Sequence, residues 1–235
     1  MTTTPDRISP PLVGREDSAL WIPRGAAGTL AGFRAWYASD SFPEEGRISY
    51  IDGEIFIDMG HERLSSHVTL KTELARALAA LADELNVGQF MTDGCRVVRE
   101  EAKLSNEPDG VYVRWETVSA GRVKLKPSAD GADVAELIGA PDMVLEIVGP
   151  SSVRKDTAML PEVYERAGIP EYWLIDARAD EISFNLFTLT ADGYTATPAR
   201  DGWLFSPVFG RDVRLTRVQN PIGLWRYRLD VRTPG

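Results

Sequence analysis

Apolar residues recur at helical spacing in two stretches of the chain. Over residues 64–86, leucines and one valine return every three or four positions with alanines between them, so we expect the longest helix there. Ser65 or Ser66 is placed to cap its start through a side-chain oxygen. A shorter helix is expected over residues 29–39, where leucine and aromatic side chains are spaced in the same way.

Two apolar runs predict buried strands. The runs at 143–148 and Glu171–Asp176 are apolar almost throughout, which is typical of strands covered on both faces of a sheet. Between them, residues 156–167 predict a helix, and Gly168 stands where a glycine commonly ends one. We therefore expect a strand, a helix and a second strand that form one crossover unit within a single sheet.

Asp-Gly pairs between apolar segments predict tight turns. Asp52-Gly53 separates Arg47–Ile51 from residues 54–59 and predicts a hairpin, and Asp93-Gly94 likewise separates a strand at 90–92 from its predicted partner at 95–99. The other predicted strands are 109–113 and 133–138, on either side of a basic loop (Arg122, Lys124, Lys126), and a β meander from residue 181 onward. This order predicts an α/β (α+β) fold with a mixed β-sheet core flanked by helices and a C-terminal β meander.

Composition narrows the class of protein. The 235 residues are 43% hydrophobic, enough for a sizeable core, and no run approaches the roughly 18 apolar residues of a membrane span. The first residues lack the apolar segment of a secretory signal. Cys95 is the only cysteine, so neither an internal disulfide nor a thiolate-rich zinc site can form, and we expect a reducing, cytoplasmic location. The net charge of −9 excludes a chain-wide basic footprint but leaves room for a local basic patch.

Glu146 is the unusual residue of the apolar run 143–148. A carboxylate in a buried strand must be paired, bound to a metal or shifted in pKa. Asp142 lies on the same face, but four residues along a strand span about 13 Å, too far for one ion. Asp109, which opens a strand after Pro108, is the best-placed second carboxylate, and two carboxylates suit Mg²⁺. The alternative is a Glu146 that is satisfied by a lysine, an arginine or a tyrosine.

Four segments in the same order resemble the Uma2 family, whose members are assigned as endonucleases of the PD-(D/E)XK fold. They are YIDGEI at 50–55, EPD at 107–109, PDMVLEIVGPSS at 141–152 and YERAGIPEYWLID at 164–176, and SPVF at 206–209 resembles the family's usual ending. The resemblance covers residues 28–218. It implies a restriction-endonuclease-like domain over that range, between an N-terminal arm at 1–27 and a C-terminal extension at 219–235.

The resemblance also implies a metal site. Asp109 and Glu146 match the family's ligands for Mg²⁺ or Mn²⁺, with the carbonyl of Ile147 as a further ligand. The lysine that such folds carry two residues after the second acid is Val148 here. Uma2-like proteins often carry that lysine on the next helix, at a position that corresponds to Leu160.

The nearest lysine to these positions is Lys155. We expect it to position the attacking water in place of the missing lysine, and the alternative is a surface lysine at a helix start. Four further residues are candidate supporting groups: His67, which could orient a ligand or form only a local hydrogen bond, Glu73 and Glu54, which could equally be solvated, and Asp142, which shares a strand face with Glu146.

Two functions from different classes remain open. The first is an Mg²⁺-dependent DNA endonuclease that hydrolyses phosphodiester bonds and acts as a homodimer, because cleavage of both strands needs two sites. The second is a catalytically silent nuclease-fold protein with a binding role, which Val148, Leu160 and the acidic net charge favour. A plain structural domain with Glu146 in an internal ion pair is a third reading.

Overall fold

The computed structural model describes residues 20–128 and 130–235. Residues 1–19 of the predicted N-terminal arm lie outside this part of the chain. The described helices are α1 (Arg24–Gly28), α2 (Leu30–Tyr37), α3 (Thr69–Leu85), α4 (Trp115–Ser119) and α5 (Leu160–Ala167). Two π-helical turns, Leu64–Val68 and Lys155–Met159, lead directly into α3 and α5. None of the described helices combines the length and the apolar character that a membrane crossing requires.

The described residues form fifteen strands. They are β1 (Arg47–Ile51), β2 (Glu54–Asp58), β3 (Gly88–Thr92), β4 (Arg96–Arg99), β5 (Leu104–Asn106), β6 (Gly110–Arg114), β7 (Val123–Pro127), β8 (Val134–Gly139), β9 (Met143–Ile147), β10 (Glu171–Asp176), β11 (Ser183–Thr190), β12 (Gly193–Ala196), β13 (Leu204–Ser206), β14 (Arg211–Gln219) and β15 (Trp225–Arg232). The predicted α/β (α+β) class with a mixed sheet flanked by helices is confirmed.

The central sheet has the strand order β12-β11-β10-β9-β6-β3. Its middle strands β9 and β10 run parallel, and α5 lies between them in sequence, as the apolar runs predicted. Every residue of β9 is buried. Gly168 ends α5 with a φ of 74°, a conformation that favours glycine. The strand β6 pairs antiparallel with β9, which makes the sheet mixed.

The second sheet has the order β2-β1-β5-β4-β8-β7. The hairpin of β1 and β2 is confirmed, with Asp52 and Gly53 both at positive φ. Two predictions about this sheet are wrong. The strands on either side of Asp93-Gly94 do not pair, because β3 joins β6 and β4 joins β5 and β8. The predicted basic loop contains the strand β7, which pairs with β8.

The predicted C-terminal β meander is divided between two sheets, in each of which strands that follow one another in the sequence pair antiparallel. Strands β11 and β12 extend the central sheet, whereas β13, β14 and β15 form a separate three-stranded sheet, the C-terminal sheet. The strand β15 lies inside the predicted extension 219–235 and pairs with β14 over its whole length. At the other end of the chain, α1 lies partly in the predicted arm and buries Ala26.

The central sheet separates two apolar layers. On one face, Leu74 and Leu78 of α3 pack with Trp173 of β10 and with Leu229 of the C-terminal sheet. On the other face, Tyr164 of α5 packs in a cluster that also holds residues of the second sheet. The active-site candidates Asp109 and Glu146 therefore belong to a sheet that is covered on both sides.

The two predicted helix starts differ in how they are capped. Thr29 caps α2, since its Oγ1 accepts a hydrogen bond from the backbone N–H of Gly32 at 3.0 Å. The predicted cap by Ser65 or Ser66 is wrong, because no side chain caps the π-helical turn at 64–68. The Oγ of Ser65 instead accepts a hydrogen bond from the backbone N–H of Trp225 at 3.1 Å, which ties β15 to this turn.

Glu171 joins the central sheet to the segment that follows β13. Its buried carboxylate accepts hydrogen bonds from Trp173 Nε1 at 2.6 Å, Ser206 Oγ at 2.6 Å and the backbone N–H of Val208 at 3.1 Å. Removing the carboxylate would leave three buried donors without an acceptor. Each such donor costs about 1–3 kcal/mol.

We therefore expect Glu171→Ala to lower the free energy of unfolding by about 3 kcal/mol or more, which corresponds to a fall of about 6–12 °C in Tm for a domain of this size. Differential scanning fluorimetry measures this fall. Glu162→Ala, on the exposed face of α5, is the control and should change the stability by less than about 1 kcal/mol. Equal effects of the two substitutions would contradict this account of Glu171.

Candidate active site

Asp109 and Glu146 meet where β6 and β9 pair. Gly110 of β6 lies opposite Leu145 of β9, so the antiparallel register places Asp109 beside Glu146. Both carboxylates are buried, with 2% exposure each. Both line one cavity of about 320 Å³, which Lys155 and His67 also line. Candidates that are far apart in the sequence thus share one site.

Glu146 uses its two carboxylate oxygens differently. Oε1 accepts hydrogen bonds from Asn106 Nδ2 at 2.9 Å and from the Tyr164 hydroxyl at 2.6 Å. Oε2 accepts no hydrogen bond from the described residues, and its charged neighbour is the Lys155 ammonium at 3.6 Å. Burial raises the pKa of Glu146 to about 7; Lys155 opposes this rise, while the charges of Asp156 and Asp109 add to it.

Lys155 reaches Glu146 from the first residue of the second π-helical turn. Its Nζ also lies 2.7 Å from Asp156 Oδ1, and Asp156 is held in turn by the hydroxyl of Ser152. Burial alone would lower the pKa of Lys155, but the charges of Glu146 and Asp156 raise it above its ordinary value. Lys155 is therefore a fixed ammonium group at the site.

Asp109 is surrounded by cations. Its Oδ1 lies 2.8 Å from Arg47 Nη1 and 3.1 Å from Lys71 Nζ. Its Oδ2 accepts a hydrogen bond from the backbone N–H of Ile147 at 2.8 Å and lies 3.6 Å from His67 Nε2. Burial would raise the pKa of Asp109, but His67, Lys71 and Arg47 together hold it well below its usual range.

Glu62 is the acidic residue that contacts all three basic groups around Asp109. Its Oε1 lies 2.6 Å from Arg47 Nη2 and 2.7 Å from Lys71 Nζ, and its Oε2 lies 3.3 Å from His67 Nδ1. Burial lowers the pKa of His67, but the contact with Asp109 outweighs this effect, so that the net shift is upward. Glu62, His67 and Asp109 each offer a possible metal-ligand atom, and these atoms lie within 4.8 Å of one another.

The other three candidates lie away from this cavity. Asp142 is buried at the far end of β9, where it accepts hydrogen bonds from the backbone N–H of Arg114 and the Thr117 hydroxyl, both at 2.8 Å. Glu73 forms an ion pair with Arg76 and accepts a hydrogen bond from a backbone N–H of β15. Glu54 is exposed at the start of β2.

Sequence reasoning missed several residues of the site. Lys71 stands four residues after His67 and therefore on the same helical face, so a lysine within the apolar pattern of α3 was a usable signal. Asn106, a polar residue in a fully buried strand, was another. Nothing local marked Arg47 or Tyr164, because only the meeting of distant elements brings them to the acids.

The two positions that lack the family's lysine are structural. Val148 and Leu160 are both buried, with 1% and 0% exposure, in the apolar layer below the site. Lys155 places its ammonium group 3.6 Å from Glu146 Oε2 from a different point of the backbone. Lys155 is the first residue of a π-helical turn, and such turns occur frequently at functional sites.

The residues present fit a hard divalent cation. The carboxylates of Asp109 and Glu146, at the pairing of β6 and β9, line the same cavity as Ile147, and hard cations prefer carboxylate and carbonyl oxygens as ligands. Glu146 Oε2, the oxygen without a hydrogen bond, is the atom that a ligand would satisfy. Asp109, Glu146 and the Ile147 carbonyl would hold the ion.

Comparison with known proteins gives a family and a fold. The family described as "Uma2: Putative restriction endonuclease" matches residues 30–217. Among solved structures, a putative nuclease belonging to DUF820 from Anabaena variabilis ATCC 29413 is similar with a TM-score of 0.56 and 18% identity, over 77% of this chain and 90% of that chain. An identity this low shows a shared fold. No curated protein matches the chain.

The raised pKa of Glu146 predicts a pH-dependent effect of Glu146→Gln. Because the native pKa is about 7 and the ordinary value is 4.5, folding favours the protonated carboxyl. The stability that this proton contributes is present below pH 4.5 and is lost as the pH rises through 7. The glutamine does not titrate. The Tm of the variant minus that of the wild type should therefore increase between these pH values.

Thermal unfolding at half-unit steps of pH measures this difference in metal-free buffer. Glu54→Gln, which makes the same substitution at an exposed carboxylate, is the matched control. If the Tm of Glu146→Gln minus that of wild type stays constant or falls as the pH rises, the buried charge of Glu146 does not destabilise the native state.

Proposed function

Because the chain belongs to the Uma2 family, a nuclease family, we propose that this protein is a divalent-metal-dependent DNA endonuclease. The observation that supports this proposal best is the convergence of Asp109, Glu146 and Lys155 on one cavity. This arrangement supplies two acidic ligands and one ammonium group even though position 148 holds valine. The substrate is the phosphodiester backbone of DNA, and the metal is Mg²⁺ or Mn²⁺.

The reaction is hydrolysis of a phosphodiester bond. Water forms a new bond to phosphorus, the bond to the leaving oxygen breaks, and that oxygen takes up a proton. A bound divalent ion lowers the pKa of water and offsets the negative charge that grows on the phosphate. Asp109 and Glu146 would hold this ion, with the carbonyl of Ile147 as a third oxygen ligand.

Lys155 acts as a hydrogen-bond donor and a fixed charge. Its pKa is raised by Glu146 and Asp156, so the ammonium keeps its proton and cannot serve as the general base. It can orient the attacking water and stabilise developing negative charge. Asp156, at 2.7 Å, positions the ammonium group beside Glu146.

The cations around Asp109 keep the site charge-balanced. Arg47 and Lys71 contact Asp93 as well as Glu62, with Nη2 at 2.9 Å and Nζ at 3.1 Å from Asp93 Oδ1. They therefore keep two anionic partners when Asp109 turns its oxygens to a metal. His67 lies at Asp109 Oδ2 and helps to orient the carboxylate.

A second candidate function follows from the same ion pairs. Lys155 neutralises Glu146, and Arg47 and Lys71 neutralise Asp109, as in a protein whose carboxylates never meet a metal. Such a protein would be a catalytically silent nuclease fold that acts by binding. The homodimer that two-strand cleavage implies stays a prediction of the sequence.

Plasmid nicking tests the catalytic roles. With Mg²⁺ or Mn²⁺ we expect wild type to convert supercoiled plasmid to the nicked form, Glu146→Ala to be inactive, and Lys155→Ala to be slower by about 10² or more, since one preorganised hydrogen-bond donor at developing negative charge contributes that much. Lys124→Ala, which removes an exposed lysine from the second sheet, is the matched control and should leave the rate unchanged.

The outcomes of this assay separate the two functions. If only Glu146→Ala is inactive, Lys155 is a bystander and another cation assists the water. If wild type never cuts although it binds the metal, the silent nuclease fold is the correct alternative.

Metal binding is tested independently of cleavage. A ligand that binds only the native state at 100 times its Kd stabilises it by about 2.7 kcal/mol, which raises Tm by about 5–10 °C. We expect Mg²⁺ or Mn²⁺ to raise the Tm of wild type, and Asp109→Asn to abolish this rise. Glu54→Ala should retain the full rise. If neither ion raises the Tm of wild type, the metal-dependent proposal is contradicted.

A further inference from the structure

Positive charge is concentrated at the C-terminal end of this acidic chain. Residues 203–235 contain six arginines, two aspartates and no lysine or glutamate, a formal net charge of +4 in a chain whose total is −9. These arginines lie on β14 and β15 of the C-terminal sheet. Three of the six, Arg226, Arg228 and Arg232 of β15, lie beyond the residues 30–217 that match the family.

The register of β14 and β15 places four of the arginines, Arg214, Arg226, Arg228 and Arg232, on one face, whereas Arg217 pairs with Tyr227 on the other. Thr216 pairs with Arg228, and Val218 pairs with Arg226. Arg226 and Arg228 are exposed, whereas the alternate residues Tyr227 and Leu229 are buried against α3 and the central sheet. We call the antiparallel pair β14 and β15 the ribbon. Its outer face is polar and basic, and its inner face belongs to the core.

The basic face forms one wall of a groove. The groove has a volume of about 780 Å³ and contains five arginines and two acids, namely Arg76, Arg214, Arg217, Arg226, Arg228, Glu73 and Asp230. Glu73 is engaged by Arg76, and Asp230 lies 3.3 Å from Arg214 and 2.6 Å from Arg228. Arg226 has no ion-pair partner within residues 20–128 and 130–235. The groove therefore keeps a surplus of positive charge.

The ribbon adjoins the candidate active site. The backbone N–H of Trp225 is bound by Ser65, two residues before His67, whose ring contacts Asp109. Further along β15, the N–H of Leu229 is bound by Glu73 of α3 at 3.1 Å. The groove thus begins beside the turn that carries His67 and follows α3 away from the cavity.

From this placement we propose that the arginine face of β14 and β15 binds the phosphate backbone of duplex DNA and guides it to the cavity. Guanidinium groups suit this role because they bind phosphate oxygens in pairs. An eight-residue strand spans about 26 Å, the length of about eight base pairs at 3.4 Å each. The inference rests on the proposed function, since it takes DNA as the substrate.

The test measures binding without cleavage. Fluorescence anisotropy of a 30-base-pair duplex in EDTA gives the Kd of the full chain at a series of salt concentrations. Each lost phosphate contact reduces the slope of log K against log salt by about 0.9. We expect Arg226→Gln/Arg228→Gln to weaken binding about tenfold at low salt and to reduce the slope by about 2.

Two variants keep this result specific. Arg99→Gln/Arg166→Gln makes the same change in net charge on β4 of the second sheet and on α5, away from the C-terminal sheet. This control variant should bind DNA as wild type does. Arg226→Lys/Arg228→Lys keeps the charge and should retain the salt slope. Thermal unfolding of each variant confirms that the ribbon is folded.

Three results would overturn the inference: a wild type that shows no salt-dependent binding of the duplex, an Arg226→Gln/Arg228→Gln variant that binds as wild type does, or an equal loss of affinity in the Arg99→Gln/Arg166→Gln control. Failure of the proposed function would look different. In that case wild type binds DNA through the ribbon and the variants behave as expected, but no plasmid is nicked with either metal.

Discussion

The burial of two negative charges beside the pairing of β6 and β9 is the constraint around which this structure is organised. An unpaired carboxylate in a protein interior costs several kcal/mol, so Asp109 and Glu146 each require compensation. Asp109 obtains it from a cluster of cations and a backbone N–H, and Glu146 obtains it from hydrogen bonds to Oε1 and one ammonium near Oε2. Their pKa values shift in opposite directions, because burial outweighs this compensation at Glu146 and raises its pKa, whereas the cations outweigh burial at Asp109 and lower its pKa. Pairs of acids with diverging pKa values are a common property of catalytic sites.

Both helices at the site begin with π-helical turns. His67 and Lys155 lie in these turns, and each reaches a carboxylate of the central sheet. Lys155 thus supplies an ammonium group at Glu146 although positions 148 and 160 are buried apolar residues. The C-terminal ribbon, bound to the first of these turns through Ser65, brings basic charge close to the site in a chain that is acidic as a whole.

Local signals in the sequence were sufficient for most elements of the fold but not for their pairing. The apolar runs of β9 and β10, the glycine that ends α5 and the hairpin at Asp52-Gly53 all predicted what the structure contains, because burial on both faces and positive φ restrict which residues can occur. The turn at Asp93-Gly94 was predicted as a turn, yet its flanking strands enter different sheets. A turn signal reports only the local backbone, whereas the partner of a strand depends on which distant strand offers the better packed face.

The sequence by itself also determined that Glu146 needs a partner and that Asp109 is placed to stand beside it, since a charged residue in an apolar strand is visible without coordinates. Only the tertiary structure decided which groups contact the two buried carboxylates and compensate their charge. Arg47 reaches Asp109 from the second sheet and Tyr164 reaches Glu146 from α5, and the sequence contains no local sign of either contact. The basic face of β14 and β15 likewise depends on the register that turns Arg226 outward and Leu229 inward. Contacts of this kind form between elements that are distant in the chain. Which groups surround the two acids, and which face of the ribbon is exposed, therefore depends on how those elements pack and not on any one segment.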